Sequence, residues 1–454
     1  MPEPTTTTIS LIWQKIANPS TTLRLVLGGF VTVAGLTLVA KAVSFVKDAA
    51  VAHWFGVSTE LDAFVMAFGL HSFIAATLAT GLPGAMLPAY ADTRHRLGEA
   101  RADRLALQSS LIHGASLLLI GIVAVVFSTQ IVTIMGRGFD PATRQIASKM
   151  ILELLPFLFC YGMTTHLAMW LRGRKLFVAA SASQMAIPLV IIAMIFFRPA
   201  IHVLVVATNC GALLHLIVLL MALRRHIVVR HIGRWEPDNA VILRNTGPFL
   251  ISGLVMALTS LVDQSMAGWL SSGSVTVLSY SDKVCGILLA LTAMAASETL
   301  FPFFAEVVAQ KDWPKLKRQI LQIIVVVTCG TIPLALLLSW QAPLVVRLLF
   351  ERGEFAADAT ARVAEVLRYA ALQIPFYVVG VLLSRIVVSL QASGFSLALA
   401  TVSLALNIGL NAIFMRTMGV AGIALSTACV YLFTSVVLVT YVLRAIHHRT
   451  LQTS

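Results

Sequence analysis

Charge is scarce in this chain. Of 454 residues only 12% are Asp, Glu, Lys or Arg, where a soluble protein carries about a quarter. That shortage excludes a water-facing globular surface over most of the length. Cysteine is scarce as well: Cys160, Cys210, Cys285, Cys329 and Cys429 are scattered through apolar sequence, and no two have CxxC spacing. An odd, dispersed set of this kind forms neither a disulfide framework nor a thiolate metal site, and reads as small buried hydrophobes. GxxxxGK[ST], HExxH and GxSxG are all missing, so no residue is nominated as a nucleotide cradle, zinc ligand or nucleophile. An enzyme is therefore not expected, and neither is a cofactor. The first 24 residues are polar and Thr-rich, with no small-residue cleavage site after a short apolar core, so a signal peptide is not read there.

Apolar sequence is what the chain has instead. Hydrophobic residues make up 58% and mean hydropathy is +0.88. Runs long enough to cross a bilayer, about 18 residues or more, recur throughout. Twelve are expected, near 25–47, 60–90, 107–135, 148–170, 176–197, 200–223, 245–270, 275–305, 319–341, 361–390, 395–415 and 419–443. In lipid they must be helices, which satisfy their own backbone. The fold class is thus an all-α polytopic membrane protein. Net charge is +13, but the basic residues sit in short loops, the topology signal of membrane proteins and not a nucleic-acid surface. Placing the N-terminus in the cytoplasm puts twenty loop Lys and Arg on that side and nine on the other. Both termini are therefore expected to be cytoplasmic.

The halves resemble each other. Trp54 and Gly56 correspond to Trp269 and Gly273, and Leu87-Pro88-Ala89-Tyr90 to Phe301-Pro302-Phe303-Phe304. A basic loop follows each, Arg94 to Arg104 and Lys311 to Arg318. Gly136-Arg137-Gly138-Phe139-Asp140 then matches Glu351-Arg352-Gly353-Glu354-Phe355, and Pro156 matches Pro375. Such ordered matches, at an offset near 214, point to a duplicated six-helix unit. The expected organisation is a cytoplasmic segment 1–24, an N-lobe 25–223, a linker 224–244, a C-lobe 245–443 and a tail 444–454. Six is even, so the two pseudo-symmetric lobes point the same way, with substrate between them.

Ionisable residues inside the spans are few, and each carries an insertion cost of about 2.5–3.5 kcal/mol near the bilayer centre. Span one holds Lys41, Lys47 and Asp48, span two Asp62, span seven Asp263, span eight Asp282, Lys283 and Glu298, and span ten Arg385. Lys41, Lys47 and Lys283 are expected to converge at the lobe interface, where cations in low dielectric attract a phosphate-rich head group. The alternative is mutual neutralisation, of Lys41 or Lys47 by Asp62 and of Lys283 by Asp282 or Asp263. Asp62, Asp263 and Asp282 are the candidates for ion coupling or charge pairing. His71, His113, His166 and His215 read as neutral histidines bonded between helices, a proton relay being the other reading. Pro83, Pro156, Pro188, Pro248, Pro333 and Pro375 are expected to kink their helices.

Several of these stretches resemble the MviN/MurJ family of lipid II flippases, within the superfamily of multidrug, oligosaccharidyl-lipid and polysaccharide exporters. Lys41 to Asp48, KAVSFVKD, is similar to that family's Arg-x-x-Gly-Phe-x-Arg-Asp, and Phe55-Gly56 and Asp62-Ala63-Phe64 follow at matching spacing. Asp263, Ser272 to Val275, Tyr280 to Lys283, Leu349 to Phe355 and Gly419 to Ser426 extend the likeness across 35–445. The resemblance implies alternating access by two six-helix lobes in a bacterial inner membrane. Lys41, Lys47 and Lys283 would grip the pyrophosphate of a polyprenyl-pyrophosphate-linked glycan, with Asp62 as the family's helix-two acid. It further implies contact with membrane lipid, a coupling cation (Na+ or H+) and envelope-synthesis proteins as partners. The three lysines stand where the flippases usually have arginine, Ser44 replaces a glycine, and a helix-two base is replaced by Ala75 or Ala76. The flippases also continue for two further helices. An exopolysaccharide-precursor flippase, a cation-coupled multidrug exporter and a non-transporting scaffold are the remaining readings.

Overall fold

The computed structural model describes residues 21–227, 233, 235–289, 313–389 and 392–453, and every regular element among them is helical. Eight helices are long and apolar enough to cross a membrane, and two bent pairs bring the number to ten. The first helix, Thr21–Phe55, and the helix beginning at 274 complete the expected order of twelve. The spans are α1 (Thr21–Phe55), α2 (Thr59–Leu97), α3 (Glu99–Val126), the bent α4 (Pro141–Glu153 and Leu155–Gly173), α5 (Phe177–Phe197) and α6 (Ile201–Leu223). The second set is α7 (Asn239–Ala267), α8 (274–289), α9 (Trp313–Trp340), the bent α10 (Ala357–Ala370 and Gln373–Ser389), α11 (Ser393–Met418) and α12 (Val420–Thr453). The chain is a two-lobed, all-α membrane protein. The expected second half of span eight, with Glu298, Phe301-Pro302-Phe303-Phe304 and Lys311, lies outside the described residues, as do residues 1–20.

The internal repeat is visible in the helices themselves. After α3 comes the short helix Ser128–Met135, and after α9 comes Ala342–Phe350. The run expected as one span at 107–135 is therefore broken at Phe127, which caps the end of α3. Next, α4 bends by 46° and α10 by 43°. Both bends fall just before the paired prolines, Pro156 and Pro375. Proline removes a backbone donor and pushes away the preceding turn's carbonyl, and in α4 the side chain of Asn209 from α6 repairs the damage. Its Nδ2 donates to the Glu153 carbonyl at 2.8 Å, and its Oδ1 accepts from the Phe157 amide at 2.9 Å.

Two expected boundaries move. The stretch 224–244 is not a linker throughout, since α7 starts at Asn239. The residues before it are bolted to the basic α2–α3 hairpin. Glu236 is buried and accepts from Arg101 and Arg104, both at 2.8 Å, while its amide donates to Gln108 Oε1 at 3.0 Å. Asp238 accepts from Thr93 at 2.6 Å and Arg96 at 3.1 Å. At the other boundary α12 runs on to Thr453, past 443. Its buried stripe Leu438, Val442 and Ile446, four residues apart, packs with Trp313, Leu316 and Ile320 of α9, and Arg449 lies 5.2 Å from the Trp313 ring.

From there α7 runs along α2, backbone close to backbone. A Cβ on Gly253 would collide with Thr80, one on Gly81 with Leu250 and one on Gly69 with Gln264. Between apolar helices in lipid, association comes from such close van der Waals packing of small residues. Gly253→Leu is expected to force α2 and α7 apart at an overpacking cost of about 1–3 kcal/mol, lowering the melting temperature in detergent. Gly330→Ala, at a glycine with nothing within 4 Å of its built Cβ, should leave the melting temperature unchanged or slightly raised.

Candidate functional site

One end of the bundle carries the loops rich in arginine and lysine (94–104, 172–175, 315–318), and the other carries the paired loops 136–140 and 351–355. At that second end the halves are clamped crosswise. The 136–140 loop sits on the α7–α8 connection: the Gly138 amide donates to the Gly268 carbonyl at 3.0 Å, and Trp269 Nε1 to the Ile134 carbonyl at 2.7 Å. The 351–355 loop sits on the α1–α2 connection, where the Glu354 amide donates to the His53 carbonyl at 2.9 Å. Gly56 and Gly353 adopt positive φ, +54° and +61°, and a Cβ on either would strike the opposite backbone. Asp140 caps α4, and the hydrogen bonds it accepts from Thr143 hold its carboxyl below the usual range.

Asp62 lies at the centre of this closed end. It is fully buried, and its oxygens accept from the Gly273 amide at 2.5 Å and the Thr276 amide at 2.7 Å. These are free N–H groups of the first turn of α8, which gather partial positive charge and favour an anion. Asp62 of the first half thus caps a helix of the second, and its partners are amides and not a lysine. Below it Phe45, Tyr280, Phe350 and Phe355 form an aromatic floor, with neighbouring centroids 5.0–5.9 Å apart.

Over the floor stand the lysines. Lys283 Nζ lies 2.9 Å from Asp48 Oδ1, and Lys47 Nζ 2.5 Å from the same oxygen. The triad leaves one net positive charge. It lines a cavity of about 380 Å³ between α1, α2, α5, α6, α7 and α8, with Thr208, Ser260, Gln264, Thr276 and Ser279 as further polar groups. Lys41 is not in the triad. It lines a second cavity of about 560 Å³ on the N-lobe side, which shares Lys47, Phe68, Ser72 and Ile187 with the first. Lys41, Lys47 and Arg172 are the basic residues of this second cavity, and Ser44, Ser72, Thr164, Thr165, Gln184 and His215 add polar groups. Among the described residues no Asp or Glu lines it.

Asp263 lies elsewhere, buried between α7, α11 and α12. Asn411 Nδ2 donates to its Oδ1 at 2.7 Å and Thr427 to its Oδ2 at 3.2 Å. Asn407 completes the group, accepting from Asn411 Nδ2 at 3.3 Å. Turning the Asn411 amide would present oxygens from all four residues, the donor set of a hard cation. No group of three or more His, Cys, Asp or Glu suited to a metal occurs among the described residues. Asp282 is exposed and forms no ion pair among the described residues. Of the histidines, His71 bonds the Ala67 carbonyl at 2.7 Å, His113 the Gly162 carbonyl at 3.2 Å and His215 the Ser183 hydroxyl at 3.1 Å. His113 and His166 stack with centroids 5.1 Å apart.

The profile of the lipid II flippase MurJ family matches residues 51–453. This chain belongs to the MurJ family. Among its curated relatives, the probable lipid II flippase MurJ of Rickettsia prowazekii is 22% identical over 417 residues, 88% of this chain and 80% of that one. The protein of the same description from Rhizobium tropici is 23% identical over 418 residues, 88% and 77% of the two chains. A solved lipid II flippase MurJ in an inward closed conformation superposes with TM-score 0.76 at 20% identity, covering 91% of this chain and 87% of that one. An inward-facing multidrug resistance MATE transporter of the MOP superfamily gives 0.78 at 18% identity, covering 93% and 100%. An outward-facing MATE transporter gives 0.66, covering 93% and 96%. The MurJ-family chain is thus a multi-pass membrane protein with the two-lobed transporter fold, closed at the end that holds Asp62.

Sequence reasoning misses four residues of this site. Asp48 stands out as a charge in span one, but nothing in the sequence marks it as the shared partner of two lysines. Asn407 and Asn411 carry no charge and drew no attention. Arg172 was counted with the loops. Asp62→Ala would leave two buried amides without an acceptor, each costing about 1–3 kcal/mol. The closed end is then expected to open more often. Thiol labelling of Thr276→Cys, buried in the native closure, should accelerate several-fold when Asp62→Ala is added.

Proposed function

We propose that this MurJ-family protein translocates an undecaprenyl-pyrophosphate-linked saccharide, lipid II or a related envelope precursor, across the bacterial inner membrane by alternating access. The observation that carries the reading is the N-lobe cavity, which is lined by three basic residues and, among the described residues, by no carboxylate. Such a chamber attracts an anion and repels the cationic amphiphiles a multidrug exporter would take. It adjoins the inter-lobe cavity, sharing Lys47 in its lining, so cationic side chains stand from Arg172 and Lys41 through Lys47 to Lys283. The described helices carry no further soluble unit on which a scaffold reading would lean. The basic end is the cytoplasmic one by the loop-charge rule, both termini lie there, and the closed end faces outward.

In this cycle the head group enters the basic cavity while the polyprenyl tail stays in lipid. Its diphosphate competes with Asp48 for Lys47 and Lys283. The ion pair that joins α1 to α8 loosens, and the lobes rock to open the Asp62 end. The coupling cation, Na+ or H+, belongs at Asp263, Asn407, Asn411 and Thr427. The membrane potential supplies about 2.3 kcal/mol per charge per 100 mV.

Expression in cells depleted of their own lipid II flippase tests the reading. The native chain should restore growth and the outward appearance of labelled precursor. Lys41→Ala, Lys47→Ala and Lys283→Ala should each abolish this at unchanged protein abundance. Normal translocation by all three variants would overturn the phosphate-gripping role. A separate measurement addresses coupling. Asp263→Ala should lower transport and make it indifferent to collapse of the Na+ or proton gradient; a native response to both would place the cation elsewhere.

A further inference from the structure

Arg172 differs from Arg174 and from the arginines of the α2–α3 hairpin. It sits in the last turn of α4, which ends at Gly173. Those arginines are committed to carboxylates. Arg174 lies 3.3 Å from Glu99 and 3.2 Å from Asp103, Arg94 pairs with Glu99 and also donates to the Gly173 carbonyl at 3.1 Å, and Arg101 and Arg104 hold Glu236. Arg172 pairs with no acid among the described residues. Its recorded contact is a weak one, Nη1 to Met169 Sδ in its own helix at 3.7 Å. The guanidinium is exposed and borders the same cavity as Lys41 and Lys47.

The chemistry of that cavity makes the placement informative. Lys41 and Lys47 bring point charges about 9 Å apart along α1, at 1.5 Å per residue. Among the described residues Arg172 is the one guanidinium lining the chamber, and only a guanidinium presents the planar fork that binds a phosphate through two parallel hydrogen bonds. It stands at the basic end of α4, with Lys41 and then Lys47 deeper in the chamber toward Lys283. A guanidinium at the rim of this chamber keeps its donors for a ligand, since no described acid lies within ion-pair distance of it.

We propose that Arg172 is a substrate-binding residue that captures the diphosphate of the lipid-linked substrate at the mouth of the cavity and passes it to Lys41 and Lys47. This deepens, and rests on, the reading of the cavity as a site for a lipid pyrophosphate. It assigns the specificity for a diphosphate over a monophosphate to Arg172, because two adjacent phosphates can occupy the fork and the Lys41 ammonium together.

The test uses the full chain in nanodiscs of neutral phosphatidylcholine, with undecaprenyl pyrophosphate and undecaprenyl monophosphate as probes. The native protein should bind the pyrophosphate more tightly than the monophosphate. Arg172→Gln should weaken pyrophosphate binding about ten- to a hundredfold, the range for losing hydrogen bonds to a charged group, and should remove most of the preference between probes. Arg172→Lys keeps the charge and should recover part of the affinity and little of the preference; it carries the test should the Gln variant fold poorly. Lys175→Asn removes a nearby charge that does not line the cavity and should bind within about twofold of native. If both Arg172 variants bind and discriminate like the native chain while Lys41→Ala does not bind, the proposal is overturned and the function stands. If the native chain binds neither probe, the function falls and this proposal with it.

Discussion

A carboxylate buried between helices in hydrocarbon survives only if donors surround it, and the arrangement of this protein follows from where Asp62 finds its donors. It finds them across the molecule, on the uncapped first turn of α8. Helix start and carboxylate satisfy each other, so the cost of burying either is met only when the halves touch. The crossed loops at 136–140 and 351–355 then hold the same end shut. With that end closed, the lining of the N-lobe cavity reaches Arg172 at the basic end. Which end is closed is thus a consequence of one capping interaction and the loops around it.

The cationic residues are graded along the resulting path. Arg172 and Lys41 have no acidic partner among the described residues, whereas Lys47 and Lys283 share Asp48. An incoming anion therefore meets unneutralised charge first and an occupied pair last. Sharing one carboxylate holds the two lysines side by side without locking either in a one-to-one bridge. The same oxygen links α1 to α8, so in the proposed cycle its displacement by phosphate would weaken a contact between the halves once the substrate is inside, coupling substrate position to lobe separation through one atom.

Much of this was legible in the sequence. Helix number, order and the repeat followed from apolar run length and from the matched Trp54/Trp269, Gly56/Gly273 and Pro156/Pro375 positions, because those features depend on local sequence and bilayer thickness. The lysines were found because charge in an apolar run is conspicuous. Their partner was not, since neighbouring residues on a helix diverge and the pairing of Asp48 with Lys283 is made only by packing α1 on α8. The neutral amides of Asn407 and Asn411 gave no signal for the same reason: their meaning comes from Asp263, more than a hundred residues away. Arg172 escaped because a helix end looks like a loop when only hydropathy is read. The start of α7 was misjudged because Glu236 and Asp238 are polar, and their burial depends on arginines of the α2–α3 hairpin.

The crossed loops also bear on ancestry. Each half gives its loop to the other half's first hairpin and accepts one in return. Undo the duplication, and the two clamps become the reciprocal contacts of a parallel homodimer with a twofold axis normal to the bilayer, the self-complementary geometry that symmetric dimers use. A six-helix ancestor would have been incomplete as a monomer. Once the copies were fused, the residues on the axis were free to diverge, and Asp48 in one half could come to face Lys283 in the other without having to pair with its own image.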